Sequence, residues 1–254
     1  MSQPTSATLP PEYAADAGAV VEALPPDTLR LAGRFIHSAS STGANSAGLY
    51  EINHQIDFLR ETDRKVEFSR IDYVLKRQAP GSAAAAAGSA PQIVSRAKRV
   101  FDLERPPAVV QEPFAYYLRP ASQSALGTVG VKFAKIGGSA CKAWRVRRKV
   151  DGTHEPRGVL FDVRPNNDVL DWLDGDGTRL AVEETRDDMH SLTVLVPLER
   201  ARRDALVAVW CVRRWEEKAT EFHRKRSWKD VKYIMQTCTS GLPGNGGTIN
   251  TKSY

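Results

Sequence analysis

LERARRDALVAVWCVRRWEEK, residues 198–218, contains an unbroken apolar run from Ala205 to Val212. A helix over this run covers more than two turns without a polar position, so it has no wet side. The run is far shorter than the roughly 20 residues a bilayer span requires, so the apolar medium around it is protein. By periodicity alone, Leu206 to Val212 would also suit a buried strand. The flanks decide for helix: Pro197 suits a helix start, and the Arg-, Ala- and Glu-rich residues on both sides are strong helix formers. Burying Leu206, Val207, Val209, Trp210 and Val212 is worth on the order of 10 kcal/mol, an upper bound because the unfolded chain already hides part of that surface. The rest of the chain therefore has to enclose this rod.

The enclosing material reads as short strands. From Thr28 onward, period-two segments fall near 29–37, 48–56, 66–75, 92–103, 114–118, 128–136, 142–150, 157–163, 178–183 and 191–196. Turn-type punctuation such as Asp151-Gly152 and Asp174-Gly175-Asp176-Gly177 separates them. Many antiparallel strands and one all-apolar helix predict a mainly β fold of α+β composition, a closed antiparallel barrel wrapped around the C-terminal helix. Closure removes exposed sheet edges, and a barrel interior can hold a helix. An open sandwich with the helix on one face fails on the missing polar face.

Three regions frame that reading. Residues 1–27 carry four acids and no bases among Pro, Ala, Ser and Thr, and are expected to be a disordered tail rather than a signal peptide. Residues 28–218 form the barrel domain, with an Ala-rich flexible insertion at 80–91, and 219–254 are a basic extension with a disordered end. Three scattered cysteines, Cys141, Cys211 and Cys238, lack metal spacing and fit a reduced intracellular setting, cytoplasmic, peripheral at a membrane, or nuclear.

The chain resembles the tubby C-terminal-like superfamily, which groups tubby proteins, plant LURP-one-related proteins, phospholipid scramblases and fungal relatives. The strings that carry the resemblance are GLYEIN at 48–53, VEFSRID at 66–72, RVFDL at 99–103, LAVE at 180–183 and, above all, DALVAVWCVRRW at 204–215. Their order matters more than any one of them. The resemblance implies a barrel of about 12 strands around a central hydrophobic helix, and binding of phosphoinositides through basic surface side chains. The chain departs from the pattern in its Ala-rich insertion and in running some 36 residues beyond position 218.

Charge locates the candidate sites. The net +6 is distributed as −4 over 1–27, +2 over 28–90, +9 over 91–150, −7 over 151–188 and +6 over 189–254. Such basic regions favour anionic partners. In residues 142–150, KAWRVRRKV, strand alternation puts Trp144, Val146 and Val150 on one face and Arg145, Arg147 and Lys149 on the other. Cations about 7 Å apart in series can meet several phosphate oxygens, arginine bidentately. The plainer reading is a solvated strand face paired with the acidic stretch 151–188. A second basic candidate, Thr220 to Cys238, forms an amphipathic helix with Arg224, Lys225 and Lys229 on its charged side, able to lie on an anionic membrane or pack on the barrel.

Catalytic signatures are missing from the sequence. There is no Gly-x-Ser-x-Gly elbow, His-Glu-x-x-His, phosphate-loop Gly-Lys-Ser/Thr or Cys-x-x-Cys pair, and His37, His54, His154, His190 and His223 have no ligand spacing. Asp171, Asp174 and Asp176 do not fit calcium-loop positions and read as a polar turn. No metal or cofactor is expected. The reading is thus a non-enzymatic module that binds anionic phospholipid head groups or tethers a protein partner at membranes. Nucleic-acid binding through the same basic faces, and an accessory role or enzyme activity in a metabolic pathway, are the alternatives.

Overall fold

The computed structural model describes residues 23–40, 47–76, 92–107, 109–134, 140–150, 152–186 and 189–224. The chain begins with β1 (Ala23–Leu24), β2 (Asp27–Ala32), β3 (Phe35–Ser38) and β4 (Gly48–Ile52). A long hairpin follows, β5 (Lys65–Lys76) with β6 (Gln92–Glu104), then the short β7 (Tyr116–Pro120) and β8 (Val129–Phe133). A second long ribbon joins β9 (Cys141–Arg148) to β10 (His154–Asn166). Then come β11 (Val169–Leu173), β12 (Arg179–Arg186), β13 (Met189–Val194), β14 (Leu198–Glu199) and the helix α1 (Arg200–Arg224).

Strands β2 to β13 close into a twelve-stranded antiparallel barrel. Neighbours in the ring are neighbours in sequence except at one seam, where β13 pairs with β2 (Leu192 with Leu29) and closes the wall. Period-two alternation sends Ile36, Ile52, Phe68, Phe101, Trp172 and Leu192 inward, all fully buried. They surround α1, in which every residue from Ala205 to Val212 is at most 2 % exposed. The dry rod in a pleated sheath that the sequence demands is the observed architecture.

Three features differ in detail from the expected strands. The segment 29–37 is a hairpin, not one strand: Ala32 pairs with Phe35 around a two-residue turn whose first member, Gly33, has φ 62°, a left-handed value that glycine adopts without cost. A further strand, β11, lies where the Asp-rich text suggested only a turn. It is joined to β10 through Asn167 at φ 53°, a conformation Asn tolerates better than most residues. A strand also falls within the expected tail, because β1 pairs with β14 (Leu24 with Leu198) beside the start of α1. Residues 1–22 and the insertion 80–91 lie outside the described residues.

Polar groups along α1 are matched by the wall. Near its start, Tyr50 OH donates to Asp204 Oδ1 at 3.0 Å and Arg70 Nη1 to Asp204 Oδ2 at 2.6 Å. Further along, Arg213 Nε donates to Glu183 Oε2 at 2.7 Å, and Trp172 Nε1 reaches the same oxygen at 3.3 Å. These pairs fix the rotation of the helix inside the ring, since an unpaired charge at such depth is strongly destabilising.

Candidate functional site: a cationic ribbon

The β9–β10 ribbon carries Arg145, Arg147 and Lys149, and all three are exposed. On β9, Cys141 and Ala143 are fully buried and face the core, and alternation puts Arg145 on their side, at the point where the strand leaves the barrel. Trp144 sits on the outer surface instead. Its ring packs at 5.8 Å from Phe114, with Lys132 Nζ 5.6 Å from its centroid.

The structure adds two cations to the expected set. Arg148 precedes the turn, and Arg157 comes from the partner strand; both are exposed. Arg157 owes its position to a bulge: Pro156 pairs with Val146 and Gly158 with Arg145, which leaves Arg157 as the extra residue. A bulge re-aims its side chain and also accommodates the proline, which has no N–H for the ladder. Together Arg147, Arg148, Lys149, Val150, Glu155 and Arg157 line an open groove of about 470 Å³. Arg148 was legible in the sequence beside its neighbours. Arg157 was not, because only the hairpin register brings it across.

The outer part of the ribbon is pinned to the barrel. The His154 side chain, 6 % exposed, stacks on Tyr117 with ring centroids 4.6 Å apart. Its Nε2 lies 3.0 Å from Arg119 Nη1, which as the obligate donor makes Nε2 the acceptor, and its Nδ1 lies 3.4 Å from Glu112 Oε2. Tyr117 OH donates to the same carboxylate at 2.5 Å.

Electrostatically the ribbon is unbalanced. Among the described residues, no ion pair engages Arg145, Arg147, Arg148, Lys149 or Arg157, even though Glu155 stands opposite Arg147 in the ladder. Three described acids of the acidic stretch pair elsewhere: Asp162 with Lys142 and Arg164, Asp171 with Arg179, and Glu183 with Arg213. A second groove, of about 360 Å³, is also rich in bases, with Arg64, Lys65, Arg105 and Arg119 along it. There the charges are largely neutralised, Lys65 by Asp102 at 2.9 Å, Arg119 by Glu104 at 3.3 Å and Arg105 by Glu61 at 3.3 Å. The ribbon, not this groove, has attraction to spare.

Of the second expected site, Arg224 is the last residue of α1, and Lys225 and Lys229 lie outside the described residues. Burial pushes the Cys141 thiol up to about 12, far from a nucleophilic thiolate at neutral pH. Among the described residues no helix is long and apolar enough to cross a membrane, and no three His, Cys, Asp or Glu side chains cluster as metal ligands. Comparison with protein-family models, characterised proteins and solved structures returns no match.

Proposed function

We propose that this barrel is a non-enzymatic module that binds anionic phospholipids, phosphoinositides in particular, and thereby holds itself or a protein partner at a membrane. The single observation that carries the reading is the ribbon with five exposed basic side chains and no ion pair among the described residues. Its placement in the tubby-like superfamily belongs to the same proposal and is supported by the barrel wrapped around an apolar helix. Among the described residues the apolar helix occupies the barrel interior, which favours binding at the surface.

Each basic side chain near an anionic surface contributes about 1 kcal/mol, so five give roughly 5 kcal/mol and a dissociation constant of a fraction of a millimolar. Sedimentation with phosphatidylcholine vesicles, with and without phosphatidylinositol bisphosphate, tests the reading. Arg145→Ala combined with Arg147→Ala is expected to weaken binding about tenfold or more. Binding that is indifferent to this pair, or no binding at low salt, ends the proposal. Tight binding to duplex DNA with a steep salt slope and no lipid preference would assign the ribbon to nucleic acid instead.

A further inference from the structure

Hairpin turns favour Gly, Asn, Asp and Ser, residues that satisfy or relax the backbone, and the β9–β10 turn sets Val150 directly before the Asp151-Gly152 pair. The turn closes through Lys149 N to Thr153 O at 2.8 Å and Gly152 N to Lys149 O at 3.1 Å, with Gly152 at φ 83° supplying the left-handed step. Val150 stands at a relative exposure of 109 %, and nothing among the described residues covers it. A lone exposed apolar residue is ordinarily without meaning. This one shares the rim of one groove with Arg147, Arg148, Lys149 and Arg157, four cations against the single carboxylate Glu155, on a ribbon whose outer part is anchored through His154.

We infer that Val150 is a membrane wedge: it enters the interfacial layer of an anionic bilayer while the surrounding cations engage lipid phosphates. The inference rests on the lipid reading above and deepens it, because it names a bilayer rather than a soluble phosphate as the ligand. An apolar apex within a cationic collar matches the order of a bilayer surface, phosphates outside and acyl chains beneath. A free inositol phosphate would use the collar alone.

The test uses the full chain, phosphatidylcholine vesicles containing phosphatidylserine and phosphatidylinositol bisphosphate, and inositol trisphosphate in solution. Val150→Ser removes the apolar apex without changing charge, and should weaken vesicle binding about tenfold while leaving inositol trisphosphate binding and the melting temperature unchanged. Val150→Trp should strengthen vesicle binding, and its added indole should be quenched by lipids brominated on their acyl chains. Vesicle binding by Val150→Ser equal to that of the parent chain, or no quenching of the added indole, overturns the wedge. If Arg145→Ala with Arg147→Ala still weakens binding in that case, the lipid reading survives alone. Failure of the parent chain to bind vesicles overturns both.

Discussion

Trp210 is buried within the barrel with no exposed surface, and among the described residues its Nε1 has no hydrogen-bond partner. The indole therefore contributes area while charging the fold for a dehydrated donor, which costs about 1–3 kcal/mol. Trp210→Phe removes that donor along with part of the ring, and is expected to change stability by less than about 1.5 kcal/mol in urea unfolding, whereas Trp210→Ala should cost about 3–5 kcal/mol. Equal losses for the two would show that the indole nitrogen is satisfied. His190 behaves differently. Burial and the adjacent Arg214, which donates to its Nε2, hold its pKa down to about 4, while Thr185 Oγ1 meets Nδ1 at 3.1 Å and Glu217, Lys218 and Asp57 act as weaker neighbours. In the unfolded chain the ring takes its proton near pH ~6.5, so between there and about pH 4 the unfolded state binds more protons than the folded one. His190 thus leaves stability intact above that window and erodes it as the pH falls through it. Asp204, whose carboxyl burial pushes above the ordinary range, acts in the opposite sense. Thermal melts of the parent chain and His190→Gln from pH 7 to 4 separate the two: the variant should lose fewer degrees, and parallel curves would refute the assignment.

At the scale of elements, β8 shows how wall and surface are fitted together. An ideal Cβ on Gly130 would lie 2.6 Å from Phe114 Cγ, so the Phe114 ring rests directly on the strand backbone, against Tyr117 on one side and Trp144 on the other. Gly130→Ala should cost about 1–3 kcal/mol in denaturant unfolding by lifting that ring, and Phe114→Leu in the same chain should recover part of it. Additive losses would mean that the two residues are not coupled. The same aromatic patch shows where sequence reading stops. The apolar helix and the alternating strands were legible because burial on all sides, or on one side, dictates composition position by position. The side of β9 on which Trp144 packs was not, because alternation separates two faces without saying which is dry. Likewise β11 hid behind its Asp and Asn neighbours, and Arg157 reached the cationic groove only through a bulge. The first turn of α1 carries Arg200, Arg202 and Arg203, the wrong sign for a helix N-terminus. The wall compensates with Asp72, Asp174 and Asp27 at 3.8, 3.6 and 3.2 Å, a set of partners that only the closed ring brings together.

For the whole molecule, closure and filling depend on each other. The seam between β13 and β2 joins segments more than 150 residues apart, and it lies beside the β1–β14 pair that leads directly into α1. Without the helix, the inward side chains of the wall would face a space about 10 Å across, too wide for them to bridge and lined by apolar groups that hold water poorly. Arg70 would keep Asp72 but lose Asp204, and Glu183 would lose Arg213 and stand as an uncompensated charge at the edge of that space. A chain ending at Glu199 is therefore expected to show no cooperative thermal transition and weak near-ultraviolet circular dichroism, while a synthetic peptide of residues 200–224 should restore both when added. In the intact chain the amides of Leu206 to Val212 should exchange only through global unfolding, with protection equal to the stability from denaturant melts. A cooperative melt from the shortened chain, or faster exchange at Val209 than in the wall strands, would mean that the sheath stands without its core.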